Sequence, residues 1–483
     1  MRKLIIIVLT LIFAMSLFFI GIGCKAEEVA IESVAEVTSV AGVTVDEKPY
    51  KGVTLKCIST NDPPYYALQA VLPEFEEKTG IKVEMELLSV EEEMSKTRLE
   101  ASKGSDGYDI WVIPTYDNVV YVANGWVENL DEMEKKTGLS INRETFVPGI
   151  LEKAGLDMNT GVLYGVPIML CYASPMEYRK DMLEDPEEQA NFKEKYNYDL
   201  RPPKTWDEFR DVAEFFTRDT NNDGETDFWG CSLALDPQGA LVTTWLPLYD
   251  TSEGLEEGEP FYVRLLTKDL QPLFNGPAGV RAIEFIKDLY DNGFIAPGSL
   301  TTGWSNCSEA IMGKKAFMTY MWAETLEPAF NPKISEVADL IWWADQPIWE
   351  VPRMQTGGWM MFINQNSKNK EAAWEFIVWA TSAESEKMQI ETGLGSKMPL
   401  RIENFENPEL GQPWYEIPKN MMTNYEKLPE LYLPETDIVM QTLNTALQKI
   451  IVGDIAAQEG LDEAAAKVVK DLTEAGAYDR ISK

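Results

Sequence analysis

Residues 53–88 read VTLKCISTNDPPYYALQAVLPEFEEKTGIKVEMELL. Val53–Thr60 alternates enough to form a strand and runs into the loop NDPPYY. Tyr66–Lys78 has the spacing of a helix, and Gly80 stands where a left-handed residue ends one. IKVEMELL then gives a second strand. SVEEEMSKTRLEASKG (89–104) gives a second helix and YDIWVIP (108–114) a third strand. Strand, helix, strand, helix, strand at these intervals predicts right-handed βαβ units and a parallel sheet. Such sheets take ligands at the carboxyl ends of their strands, which directs attention to NDPPYY and to PTYDN after the third strand.

The chain has 483 residues, more than one core usually organises, so two lobes are expected. Its net charge of −36 makes nucleic acid and anionic membrane surfaces poor partners. It suits an exported protein that binds neutral or cationic small molecules. The absence of histidine removes Ser-His and Cys-His nucleophile pairs and His-bearing zinc sites. Chemistry would have to rest on carboxylates, Lys, Tyr or a cofactor.

The N-terminus reads as a targeting segment. Arg2 and Lys3 precede the apolar run Leu4–Ile22, and GIGC puts Gly23 before Cys24, followed by the polar KAEEVAIESVAEVTS. This is similar to a bacterial lipoprotein signal, residues 1–24, with Cys24 as the lipidated mature N-terminus. The run is also long enough for an uncleaved membrane anchor. Residues 25–50 read as a flexible tether, and either alternative puts the remainder outside the cytoplasm. Cys57, Cys171, Cys231 and Cys307 can form two bridges by three connectivities or stay as buried thiols.

Further along, YGVPIMLCY (164–172) is a strand, and RPPKTWDEFRDVAEFF carries Thr205 and Glu208 at capping-box spacing. GVRAIEFIKDLYDNG is an amphipathic helix closed by Gly293. SEAIMGKKAFMTYMW gives a short helix and an apolar strand ending at Trp322. The α/β alternation closes on two helices, TDIVMQTLNTALQKIIVG and LDEAAAKVVKDL. In QTGGWMMFINQNSKNKEAAWEF (355–376), Gly357, Gly358 and Trp359 stand directly before a short apolar strand, Met360–Ile363. Two adjacent glycines permit unusual φ or a close approach to the backbone.

LPEFEEKTGIKVE, YDIWVIP…ANGWVENLDE, YGVPI…EYRKDML, PKTWDEF, GKKAFMTYMW, SKNKEAAWEFIVWATSAESEKM and TALQKIIVG…LDEAAAKV occur in that order. Together they resemble the family 1 extracellular solute-binding proteins of ABC importers, the sugar-binding group that includes maltose-binding protein. EYRKD, where many members carry Tyr-Asn, departs from the pattern. The resemblance implies an α/β, two-lobe periplasmic-binding-protein fold of type II, hinged, each lobe a mixed sheet flanked by helices. Chain crossings would fall near 164–169, 320–322 and 353–359, making 51–166 plus 321–356 one lobe and 167–320 plus 357–483 the other.

With strand-end logic, the resemblance implies a ligand site of Asn61, Asp62, Tyr116, Asp117, Trp304, Trp322, Gly358 and Trp359, with Trp245 either core or ligand contact. Aromatic faces would stack on sugar rings while carboxylates and amides take hydroxyls. Trp206, Trp374 and Trp379 lie at core spacing. The implied role is that of a monomeric, membrane-tethered receptor delivering a carbohydrate to an ABC permease, without enzymatic activity. The alternatives are a secreted carboxylate-dependent glycoside hydrolase, which needs two acids flanking a scissile bond, and a receptor for a non-sugar solute. No cofactor is required. DTNNDGETD offers Asp219, Asn221, Asp223 and Asp227 at calcium-loop spacing, but Gly230 stands where the bidentate Glu belongs. Structural calcium and a plain acidic turn are the two readings.

Overall fold

The computed structural model describes residues 48–481 apart from 158–159, 173, 238, 254–264, 395–397, 411 and 430–432. The targeting segment, Cys24 and all of the tether except 48–50 lie outside the described residues. Among the described residues ten strands form two sheets: β1 (Thr54–Thr60), β2 (Lys82–Leu88), β3 (Ile110–Pro114), β4 (Gly165–Tyr172), β5 (Met176–Arg179), β6 (Trp229–Cys231), β7 (Ala316–Tyr320), β8 (Ile341–Ala344), β9 (Arg353–Ile363) and β10 (Glu426–Pro429).

The first sheet runs β10-β9-β3-β1-β2, with β4 also on β9. β1 is parallel to both β2 and β3, as the βαβ pattern predicts. The helix Pro63–Thr79 joins β1 to β2. It starts earlier than its apolar spacing suggests because Pro63 and Pro64 occupy first-turn positions where no N–H is needed. Gly80 ends it at φ 76°. The helix Val90–Ser102 starts on a capping box in which Ser89 Oγ accepts from Glu92 N and Glu92 Oε2 accepts from Ser89 N. β9 is antiparallel to β3 and β4 and parallel to β10, which makes the sheet mixed. The helix Lys370–Ala380 closes this lobe. Trp374 is fully buried and donates Nε1–H to Leu139 O at 3.1 Å, while Phe376 and Trp379 pack on Phe75.

The second sheet runs β6-β7-β5-β8, with β5 antiparallel to β7 and β8 and β6 parallel to β7. Its core gathers Trp206, Trp245, Phe285 and Tyr320 with the apolar faces of the helices Trp206–Phe216, Ala240–Asp250, Pro277–Asp291, Thr436–Ile451 and Ala457–Glu474. Thr205 caps the first of these through Glu208 N at 3.2 Å. Glu208 does not complete the expected box: its carboxylate accepts from Lys204 N and pairs with Arg201. The charged partner and the upstream N–H outcompete the reciprocal bond.

The expected lobe boundaries are corrected. β4 remains in the first sheet along its length, so the chain crosses between 172 and 176, not at 164–169. Residues 320–322 make no crossing, because β8 pairs with β5 and keeps 341–344 in the second sheet. The chain returns between 344 and 353 and leaves again between 429 and 436. Residues 357–391, expected in the second lobe, belong to the first, because β9 is bonded to β3 and its helix packs on Phe75. An apolar strand shows its burial in its sequence but not its partner. Cys57, Cys231 and Cys307 are buried free thiols, so the two-bridge alternative does not hold.

Candidate ligand cleft

The first lobe brings three strand ends together. β1 ends at Thr60, whose Oγ1 donates to Asp62 Oδ2 at 2.7 Å, and Asn61 beside it is exposed. β3 ends at Pro114 and turns through Thr115–Asp117. β9 runs antiparallel here with Trp359 opposite Pro114, so Gly358 and Trp359 face that same turn. Gly358 N–H donates to Thr115 Oγ1 at 3.1 Å with φ 142°, a conformation that favours glycine. Trp359 is only 8 % exposed and acts as a floor more than as a platform. Tyr116 is half-buried and directs its hydroxyl to Met94 Sδ at 3.3 Å.

Asp117 does not face a ligand as an open acceptor. It is 2 % exposed, and Arg98 grips both of its oxygens, Nε to Oδ2 at 3.0 Å and Nη2 to Oδ1 at 2.5 Å. Burial raises the carboxyl's pKa and Arg98 offsets that only in part. The third guanidinium arm reaches Asp437 Oδ2 at 3.0 Å. Asp437 sits in the first turn of Thr436–Ile451, a helix of the second core, so Asp117, Arg98 and Asp437 form an ion chain between the lobes.

The second lobe supplies the aromatic half. Trp304 and Trp322 stack at 6.2 Å and 21°, both half-buried. They pack on a cluster of Cys307, Met321, Ala323, Leu326 and Trp343, joined by Phe330 and Trp414. Trp304 donates Nε1–H to Thr243 Oγ1 at 3.1 Å. A side chain at Gly239, φ 139°, would come within 2.9 Å of its ring. Trp322 precedes the turn of helix Ala323–Leu326, which lies against β4. β4 in turn pairs with β9, Met169 lying opposite Trp359, so helix Ala323–Leu326 packs on a strand bonded to the one that carries Trp359. The same Thr436–Ile451 helix that begins at Arg98 holds the second lobe's rim, where Asn444 Oδ1 accepts from Val242 N and Asn444 Nδ2 donates to Pro237 O.

Trp245 is excluded from the site. It is fully buried, stacks on Tyr249 at 4.6 Å and donates Nε1–H to Gly279 O at 3.2 Å. Its helix buries all of its faces but one, which sequence spacing alone does not show. Sequence reasoning missed Arg98, Asp437, Gly239, Trp343 and Trp414. Arg98 and Asp437 lie 339 positions apart on exposed-looking helix faces, with no local signal linking them. The PWY stretch at Trp414, a bulky aromatic in a turn, carried a signal that could have been used.

The acidic loop closes on itself. Asp219 accepts from the N–H of Asn221, Asn222, Asp223 and Gly224, and Asp223 accepts from Glu225 N. Asn221 accepts from Asp223 N, and Asp227 accepts from both N and Oγ1 of Thr220. Among the described residues no group of three or more acidic, Cys or His side chains is placed to hold a metal ion. With glycine at the twelfth position, the calcium expectation for Asp219, Asn221, Asp223 and Asp227 meets no assembled ligand set.

A family model of bacterial extracellular solute-binding proteins matches residues 59–387. The chain is similar to a probable amino-acid ABC transporter periplasmic-binding protein of Sinorhizobium fredii, 24% identical over 370 residues that cover 75% of this chain and 76% of the relative. The erythritol/L-threitol-binding protein of Mycolicibacterium smegmatis is 25% identical over 358 residues, 72% of this chain and 71% of the relative. Among solved structures, an ABC transporter solute-binding protein of Agrobacterium radiobacter in complex with ribitol shares the fold. Its TM-score is 0.73 at 24% identity, covering 88% of this chain and 100% of that one.

The ion chain predicts unequal losses. Asp117→Ala leaves a half-buried guanidinium with one partner and should cost about 2 kcal/mol in urea unfolding, below the ~3–5 kcal/mol of a fully buried pair. Asp437→Asn removes a half-exposed partner and should cost less than about 1 kcal/mol. Equal losses would refute the assignment. For the loop, millimolar calcium or a chelator should leave Tm unchanged. A site filled to 100 times its Kd would add about 2.7 kcal/mol and shift Tm visibly.

Proposed function

Since the chain belongs to the bacterial extracellular solute-binding protein family, we propose that it is the substrate-binding component of an ABC importer for a sugar or polyol. The ligand is taken up between the two lobes and delivered to a membrane permease. The observation that carries this reading is the Trp304–Trp322 pair, two half-exposed indoles in near-parallel array, next to a helix, Ala323–Leu326, that contacts β4 of the first lobe. The apolar C–H face of a polyhydroxylated ligand covers such a surface, while its hydroxyls turn to side chains such as Asn61 and Asp62 on the opposite rim. The ligands named for the Mycolicibacterium relative, erythritol and L-threitol, and for the Agrobacterium structure, ribitol, have this chemistry.

The relative named for amino acids raises the other class of solute. A free amino acid brings a carboxylate, which a cation or backbone N–H donors must meet. Arg98, beside the 115–117 turn, already spends its guanidinium on Asp117 and Asp437. The site therefore favours a neutral polyhydroxylated ligand. The role is to bind and release, without chemistry on the ligand, and the protein works as a monomer.

Tethering by a lipid on Cys24 completes the proposal. Among the described residues no helix is long and apolar enough to cross a membrane. The basic start, apolar run and Gly23-Cys24 supply an attachment point upstream of the folded lobes.

A thermal-shift screen against sugars and polyols identifies the ligand, and calorimetric titration then tests the surface. Trp304→Ala and Trp322→Ala should each weaken binding about 5- to 150-fold, from ~1–3 kcal/mol of lost stacking. Trp359→Ala, a floor residue, should also lower Tm. Trp374→Ala should lower Tm alone. Parental affinity in both platform variants would overturn the stacking assignment. Separately, Cys24→Ser should release the protein from membranes or leave it unprocessed; unchanged retention with unchanged mass would favour a spanning anchor.

A further inference from the structure

Behind the aromatic surface lies a carboxyl that the binding reading does not use. Glu177, in the middle of β5, is fully buried. Its cross-strand neighbours are Thr319 on β7 and Trp343 on β8. Met176 and Tyr178 belong to the main core of the second lobe, so Glu177 points to the sheet's other face, toward the cluster under Trp304 and Trp322. Trp343 Nε1–H donates to Glu177 Oε2 at 3.2 Å. The ring it fixes stands edge-on to Phe330 at 5.4 Å and near Trp414 at 6.3 Å, and Phe330 and Trp414 stack at 3.8 Å.

We propose that Glu177 is a positioning residue: it holds Trp343, and through the Trp343–Phe330–Trp414 group it keeps the Trp304–Trp322 surface in binding geometry. Glu177 Oε1, Ser308 Oγ and Thr319 Oγ1 are all buried, and Ser308 interacts with the Glu177 carboxyl. Three polar atoms from three elements thus sit at one end of an otherwise apolar cluster. A carboxylate there would be an acceptor only. A neutral carboxyl brings an O–H donor as well, and so serves one hydroxyl while accepting from Trp343. Burial raises the Glu177 pKa to about 8, with Trp343 and Ser308 opposing.

The charged and ionisable groups on the surrounding elements do not relieve the carboxyl. Arg179, on the same strand, is bound to Asp181, and Lys314, before β7, to Glu336. The Cys307 thiol is pushed up to about 12, first by burial and then by Glu177 itself. Glu327 accepts from Tyr415 OH, whose pKa is raised by burial and then by Glu327 and Glu324. Asp345, just past β8, accepts from Asn420 Nδ2. The neighbours are thus acids, a thiol, a phenol and cations already paired.

The sign follows from the raised value. The neutral form is the one that the fold favours, so the positioning is intact below the ordinary glutamate range. It weakens as pH rises through about 8. Ionisation would place under the aromatic group a buried charge met only in part by Trp343 Nε1–H and Ser308, and hydrating it would loosen the packing around Trp343.

The test has two arms, because its ligand arm rests on the sugar or polyol reading and its fluorescence arm does not. In the ligand-free protein, intrinsic tryptophan emission titrated from pH 6 to 9.5 should show a transition near pH 8 that Glu177→Gln removes. Glu93 in the first lobe, also raised to about 8 by burial, is untouched by that substitution, so the difference between the two curves reports Glu177. In calorimetric titration with the screened polyol, wild type should bind at least tenfold more weakly at pH 9 than at pH 6. Glu177→Gln should match the pH 6 affinity at both. Glu177→Ala, which leaves Trp343 without its acceptor, should be at least tenfold weaker at both. A transition retained in Glu177→Gln, or wild-type affinity flat across this range, overturns the proposal. If no sugar or polyol binds, the ligand reading fails, and the emission difference still decides the role of Glu177.

Discussion

Antiparallel pairing of β9 is the constraint on which the molecule depends. An open sheet of β3, β1 and β2 would end at β3 with an unpaired edge. β9, eleven residues long, covers that edge with its last five, 359–363, and pairs with β4 and β10 as well. Because it runs opposite to β3, its middle coincides with β3's carboxyl end, where a parallel sheet leaves room for a ligand. Gly357, Gly358 and Trp359 fall at that position. The glycines admit the bend and the Thr115 contact, and Trp359 seals the floor. At its start β9 is tied to the second lobe, where Gln355 Nε2 reaches Asp250 Oδ2 and Arg353 Nη1 reaches the carbonyls of Asp250 and Ser252. One strand therefore closes a sheet, floors a site and joins two cores.

Each half of the cleft is rigidified by a different means. The first lobe uses charge: Arg98 fixes Asp117, orienting the 115–117 turn, and spends its remaining arm across the gap on Asp437. The second uses packed rings, with Glu177 beneath them as a polar anchor. The helix Thr436–Ile451 meets both, starting at Arg98 and holding residues 237 and 242 through Asn444 two turns on. Movement of one lobe relative to the other must pass through this helix and through β9. Each directly follows one of the last two crossings, β9 the one at 344–353 and the helix the one at 429–436.

Much of this architecture was legible without coordinates because it is local. Strand alternation, helix spacing, Pro63-Pro64 and Gly80 depend on residues a few positions apart, and β1, β2, β3 and the helices between them form close to where those patterns put them, the first helix starting at Pro63 and not at Tyr66. The strand ends followed from the parallel order alone, so Asn61, Asp62 and the 115–117 turn were marked as rim residues on physical grounds. The tryptophans divided correctly where helical spacing was clear, as at Trp206, Trp374 and Trp379. They were ambiguous at Trp245, on a helix apolar on nearly every face.

What the sequence determined by itself was the list of elements, the parallel βαβ start, an acidic histidine-free composition and an aromatic-rich second half. Tertiary structure alone decided which sheet each later strand joined. A buried strand satisfies its backbone hydrogen bonds equally well beside any edge of the right polarity, so 341–344 and 357–363 went to lobes opposite to those expected. It also decided that Asp117 is spent on Arg98, that Trp245 is core, and that Glu177 lies beneath the tryptophans. Each of those outcomes is set by a partner tens to hundreds of residues away, and the energy of such a contact leaves no mark on the neighbouring residues of the chain.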